Sequence, residues 1–199
     1  MKDFFLELFN MLTSTFLANP LGQIIGLIAF FVSIYNFLYC KNKRFIFFTM
    51  IASIFWGFHF LALGLLSAAY INIVDVLKNA LALKYEKNKY MTLGFISIYV
   101  IISYFTYEGI ISLIPLATAI LSTILVFYVR GVYLNIGFLF VIVLWMIYNL
   151  IGGSIGGFMT DSTLMITGII GIYKIIKSEN KKEVNKIIKK EKKILESID

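Results

Sequence analysis

Seven apolar stretches, each about as long as a bilayer is thick, follow one another with very short connections: approximately 21–39, 45–63, 66–84, 90–107, 110–129, 132–151 and 156–176. A helix rises ~1.5 Å per residue and the hydrocarbon core is ~30 Å thick, so about 20 mostly apolar residues cross it. The runs lack period-two alternation and exceed barrel strands in length, which argues against a β-barrel. Composition closes the soluble route. Hydrophobic residues make up 60% of the 199, only 29 side chains are charged (18 basic, 11 acidic), and the mean hydropathy is +0.88. A soluble domain is nearer half apolar and a quarter charged, and a chain this short cannot bury so much apolar surface in one core. The single cysteine, Cys40, excludes an internal disulfide framework. The chain reads as an all-α membrane protein with seven transmembrane helices.

Charge in the connections orients the bundle. Lys41, Lys43 and Arg44 follow span one, Lys84, Lys87 and Lys89 follow span three, Arg130 follows span five, and a lysine-rich tail follows span seven. The intervening connections, 64–67, 107–109 and 152–157, carry no lysine or arginine. All basic loops thus fall on one side, which the positive-inside rule makes cytoplasmic, with the N-terminus outside and the C-terminus inside. The net charge of +7 is accounted for by these loops and the tail, so nucleic acid is not an expected partner.

Two flanking segments stand apart. Residues 1–19 are rich in phenylalanine and leucine but carry Asp3 and Glu7, which fits a signal peptide poorly. Asn19-Pro20 then interrupts the run. An amphipathic helix in the membrane interface is expected there, the alternative being a simple extension of the first span. The tail, 177–199, alternates lysine with Ile187, Ile188, Ile194 and Leu195. It can form a basic amphipathic helix drawn to anionic lipid, or a solvated one.

Spans one to three and five to seven share one in-out pattern, because span four restores the orientation. A shift of 89 positions aligns the two triplets without a gap. Ser33 meets Ser122, Tyr39 meets Tyr128, Lys41 meets Arg130, Trp56 meets Trp145, Gly64 meets Gly153, and Asn72 meets Asp161. Both tryptophans of the chain coincide under this shift. The expected organisation is two parallel three-helix bundles and a linker helix (3+1+3): an interfacial segment 1–19, a first repeat 20–85, a linker helix 86–108, a second repeat 109–176 and the tail 177–199.

The same shift defines a candidate site. Gly64 and Gly153 lie midway between each tryptophan and its polar partner, eight residues from both. If the chain reverses at the glycines, Trp56 returns to the depth of Asn72 and Trp145 to that of Asp161, about 12 Å below the turn. An aromatic face beside an amide or carboxylate holds a small polar ligand by contact area and hydrogen bonds. Each residue also has a plainer use. Asn72 can join helices by a hydrogen bond, and Asp161 can sit near hydrated headgroups, although an intramembrane carboxylate more often marks a pathway or a paired charge. His59, one turn after Trp56, either lines the same cavity or bonds locally. Asp75 and Lys78, at i,i+3, are expected to neutralise each other as a structural pair. No metal-ligand spacing, phosphate-binding loop or nucleophile–base motif is present; Gly152-Gly153-Ser154-Ile155-Gly156-Gly157 lacks the lysine of such a loop and reads as a tight hairpin. Neither enzyme activity nor a cofactor is expected.

Trp56-Gly57-Phe58-His59-Phe60 followed by Leu63-Gly64 resembles the YgjV-type bacterial inner membrane proteins. So do Trp145-Met146-Ile147-Tyr148-Asn149 followed by Gly153-Ser154-Ile155-Gly156-Gly157, and Pro115-Leu116-Ala117-Thr118 before Ser122-Thr123. That family in turn resembles the SWEET, PQ-loop and PnuC-type transporters, which implies two three-helix bundles around a substrate pocket. The resemblance maps Trp56, Asn72, Trp145 and Asp161 onto paired tryptophan and asparagine positions. Trp145, Tyr148 and Asn149 look like an aromatic-asparagine motif of vitamin carriers. In this chain Asp161 stands where a second asparagine would, and no adjacent Pro-Gln pair occurs; Pro115 is the one proline inside a span. The expected substrate-binding set is Trp56, His59, Asn72, Trp145, Asn149 and Asp161. The expected function is a passive or ion-coupled carrier of a small polar metabolite in the bacterial inner membrane. Its partners would be the lipid bilayer, a small polar solute, anionic lipid at the tail and, in a homo-oligomer, further copies of the chain. A membrane scaffold or assembly partner, favoured by the missing proline hinges, is the rival.

Overall fold

Helix boundaries in the computed structural model follow local chemistry. The model describes the backbone of residues 2–39, 42–82, 84–85, 87–129 and 132–195, and their side chains except at 2–5, 8, 37–39, 42–46, 82, 174–175 and 178–195. Cys40, Lys41 and Arg130, and the side chains of Tyr39, Lys43, Arg44 and most of the tail, lie outside the described residues. The helices are α1 (Lys2–Ala18), α2 (Pro20–Tyr39), α3 (Asn42–Ala62), α4 (Leu66–Ala82), α5 (Lys89–Phe105), α6 (Leu113–Tyr128), α7 (Val132–Ile151) and α8 (Ile155–Leu195), with a short 3-10 turn at Ile110–Ser112.

Asn19 ends α1 and starts α2. Its Oδ1 accepts the Gly22 N–H at 2.9 Å, while Pro20 occupies the first helical position, where no N–H is needed. The axis turns by 107° between Phe9–Ala18 and Pro20–Asn36, so α1 is not a straight extension of α2. Asn88 caps α5 by accepting from the backbone of Tyr90 and Met91. The two glycine turns are built alike. Gly64 has φ +76° and Gly153 φ +65°. Past each, a 2.8 Å backbone bond closes the helix end, Leu65 N–H to Phe60 C=O after α3 and Ser154 N–H to Asn149 C=O after α7. This is the Schellman ending, in which a left-handed glycine satisfies carbonyls that the helix itself cannot.

Helices α2, α3 and α4 pack in sequence, as do α6, α7 and α8. The triplets meet through α2 on α8 and α4 on α6, and α5 lies against α4 and α6. The α2–α8 crossing is close. A Cβ on Gly156 would sit 2.5 Å from the Gly26 carbonyl carbon, so only glycine permits it.

The burial pattern is inverted relative to a soluble protein. Leu21, Phe31, Phe58, Phe140, Leu150 and Ile166 are exposed, while Gln23, Asn36, His59, Lys78, Asn149 and Asp161 are buried. Apolar side chains outside and polar ones inside suit a lipid solvent. Among the described residues, three segments are long and apolar enough to cross a membrane: Ile110–Tyr128, Val132–Ile151 and Ile155–Tyr173. The bent pair Phe9–Ala18 and Pro20–Asn36 makes a fourth if counted as one span. Seven spans were expected. The difference comes from length and polarity: the described apolar part of α3 runs Phe47–Ala62, α5 has 17 residues, and α4 has 17 that include Asp75, Lys78 and Asn79. Residues 177–195 of the tail continue α8, which at 41 residues is ~60 Å long, about twice the hydrocarbon thickness.

Candidate functional site

A cavity of about 150 Å³ lies at the centre of the bundle. Ser33 from α2, Trp56 and Phe60 from α3, Asn72 from α4, Trp145 and Asn149 from α7, and Asp161 from α8 line it, with Gly157, Thr160 and Leu164. One wall is a continuous aromatic stack. Phe60 stacks on Trp56 at 6.0 Å between centroids and on Trp145 at 5.6 Å, and Tyr148 abuts Phe60 and Trp145 edge-on. The Trp56 indole N–H donates to Ser33 Oγ at 3.3 Å.

The polar wall is an amide–carboxylate pair. Asn149 Nδ2 donates to Asp161 Oδ2 at 2.7 Å, and both residues are buried. Asn149 Oδ1 has no hydrogen-bond partner among the described residues. Gly157 makes room for it, since a Cβ there would collide with that oxygen. Across the cavity, Asn72 Nδ2 donates to the Ala68 carbonyl one turn back at 2.9 Å.

A second cavity, about 200 Å³, shares Ser33, Trp56 and Leu164 with the first and continues past Asn36, Thr49, Ala52 and Ser53. It leads toward the C-terminal part of α2 and the N-terminal part of α3. The opposite, glycine-turn end is closed by hydrogen bonds. Gln23 reads the Gly153 turn twice, donating to the Gly153 carbonyl at 2.7 Å and accepting the Ile155 N–H at 3.2 Å. Asn19 donates to the Ala62 carbonyl at 2.5 Å. His59 is completely buried, with Nδ1 2.7 Å from the Gly22 carbonyl and Nε2 2.7 Å from Ser154 Oγ. A carbonyl can only accept, so the geometry assigns the proton to Nδ1 and makes Nε2 the acceptor of the Ser154 hydroxyl. Ser154 in turn caps α8 by accepting the Gly157 N–H at 3.1 Å.

A separate polar cluster joins α4, α5 and α6. Lys78 Nζ lies 2.7 Å from Asp75 Oδ1 and donates to Ser122 Oγ at 3.0 Å, and the Tyr99 hydroxyl donates to the same Asp75 oxygen at 2.5 Å. Lys78 is 1% exposed, so it pairs inward rather than snorkelling. The expected structural pair is therefore present.

Of the six expected site residues, five line one cavity: Trp56, Asn72, Trp145, Asn149 and Asp161. His59 is not in that lining. It touches Trp56 edge-on at 5.5 Å and braces the closed end instead. The tryptophans do not simply oppose each other, because Phe60 is inserted between them. Sequence reasoning passed over Phe60, although it follows Trp56 at i+4 on the same helix face. It also passed over Gln23, whose sole signal was an amide in an otherwise apolar helix.

A helical bundle with lipid-suited side chains outside and a polar-lined cavity inside is a multi-pass integral membrane protein. Residues 20–179 match the family model described as bacterial inner membrane protein, and the chain belongs to this YgjV family. Among curated proteins, the inner membrane protein YgjV of Escherichia coli (strain K12) is 26% identical over 154 residues, covering 77% of this chain and 84% of the relative. No solved structure matches. The chain is thus a protein of the bacterial inner membrane.

Proposed function

We propose that the chain is a carrier of a small polar metabolite, of the sugar, nucleoside or vitamin-like class, rather than an enzyme. The observation that carries this reading is the central cavity, where both tryptophans of the chain meet Asn72, Asn149 and Asp161. On this reading α2 to α8 cross the membrane as seven spans and α1 lies in the interface, in keeping with its 107° break from α2. The 3+1+3 repeat, with its likeness to SWEET and PnuC-type carriers, is supported by the matched Schellman turns at Gly64 and Gly153. The reciprocal packing of α2 on α8 and α4 on α6 supports it too. The cavity's continuation past Asn36 and Thr49, with the other end braced by Gln23 and His59, is what a carrier open toward its basic, cytoplasmic side would present.

Thermal-shift screening of the purified protein against sugars, nucleosides and vitamins tests the proposal. A ligand at 100 times its Kd stabilises by about 2.7 kcal/mol, enough to read as a rise in Tm. At least one class should raise Tm and should be taken up by proteoliposomes containing the protein. Absence of both effects throughout the panel would favour the scaffold reading.

A further inference from the structure

We infer that the central cavity binds a small organic cation, an alkylated ammonium of about the size of choline. This deepens the carrier reading and rests on it. Three observations point to this class. First, Asp161 is a buried carboxylate whose hydrogen-bond partner among the described residues is a neutral amide, Asn149. Neither cavity lining contains a lysine, arginine or histidine; Lys78 is engaged with Asp75, and His59 with Gly22 and Ser154. A carboxylate held away from water calls for a positive partner, and the lining does not supply one.

Second, the cavity is rich in acceptors. The amide nitrogens of Asn149 and Asn72 donate to Asp161 and Ala68, and the Thr160 hydroxyl donates to the Gly156 carbonyl. Asn149 Oδ1, buried and without a partner, adds an acceptor beside the carboxylate. These oxygens can meet a positively charged guest directly.

Third, Trp56, Phe60 and Trp145 line the same cavity as Asp161. Their apolar surface suits the methyl groups of an alkylated ammonium better than a bare, strongly hydrated ammonium or a metal aquo ion. A metal ion is less suited, because the described residues offer no group of three or more histidine, cysteine, aspartate or glutamate ligands. Size is consistent: the cavity is about 150 Å³, a volume known to accept a benzene-sized guest.

The chain supplies its own reporter, since Trp56 and Trp145 are its two tryptophans and both line the cavity. Intrinsic fluorescence and Tm of the purified full chain are recorded against choline, tetramethylammonium and ethylammonium. The same is done with 3,3-dimethylbutan-1-ol, the neutral isostere of choline, and with a panel of neutral sugars and nucleosides. At least one cation should change fluorescence saturably and raise Tm, and choline should bind at least about tenfold more tightly than its isostere. Asp161→Asn should remove that preference. The wild-type comparison decides the matter even if the variant fails to fold. If choline and its isostere bind alike, as they would were Asp161 neutralised by a proton, the cation inference is overturned. If neutral solutes bind and the cations do not, it also fails, while the carrier reading stands. If neither cations nor neutral solutes have any effect, both fall.

Discussion

Lys78 and Asp161 are both buried ionisable groups, yet their surroundings give them different work. Lys78 is matched by Asp75, with Ser122 and Tyr99 satisfying what remains, so the cluster is a brace between α4, α5 and α6. Removing one member of such a pair leaves the other uncompensated, at a cost of about 3–5 kcal/mol, whereas replacing both by neutral groups can be nearly free. Lys78→Met should therefore lower thermal stability sharply, and Asp75→Asn combined with Lys78→Met should recover most of the loss. A double variant no more stable than the single one would contradict the brace. Asp161 has no cation beside it among the described residues, so its substitution should register in ligand binding more than in folding. The sequence disclosed the Asp75–Lys78 pair because i,i+3 residues share a helix face. It could not disclose Ser122 or Tyr99, which arrive from other helices.

At the scale of elements, the two glycine turns decide the depth at which the site forms. Gly64 and Gly153 are left-handed, and an added Cβ would meet nothing within 4 Å at Gly64 and only Thr15 Cγ2 at 3.5 Å at Gly153. Substitution at either position thus strains the backbone without causing a clash. Gly64→Ala and Gly153→Ala should each cost about 1 kcal/mol, and by similar amounts, in denaturation of the purified protein. Widely unequal losses would argue against equivalent turns. The return of Trp56 to Asn72 and of Trp145 to Asp161 was legible because helix rise is constant once the turn is known. The Gln23 clamp on the Gly153 turn was not, since its partner lies 130 residues away.

At the scale of the whole molecule, the cavity and the Lys78 brace are separate polar centres, and the triplets use their matched serines differently in them. Ser33 accepts the Trp56 indole at the cavity, while its counterpart Ser122 is taken by Lys78. The bundle is accordingly asymmetric at its core despite matched turns. Its proposed orientation has a direct test. A reporter fused after Lys89 should read as cytoplasmic and one at Glu108 as extracytoplasmic; the reverse pattern would invert the topology.

What the sequence determined by itself was whatever depends on solvent and on neighbours along the chain. Apolar run length dictates helices in lipid, glycine placement dictates where they reverse, and fixed rise sets residue depth. The tertiary structure alone decided which polar groups meet. His59 was drawn to Gly22 and Ser154, Phe60 was inserted between the tryptophans, and Asn149 was set against Asp161. Those outcomes depend on helix rotation and crossing, such as the close approach at Gly26 and Gly156. In a chain whose helices are apolar nearly all round, hydropathy does not specify which face turns inward, so packing and the satisfaction of buried polar groups make the choice.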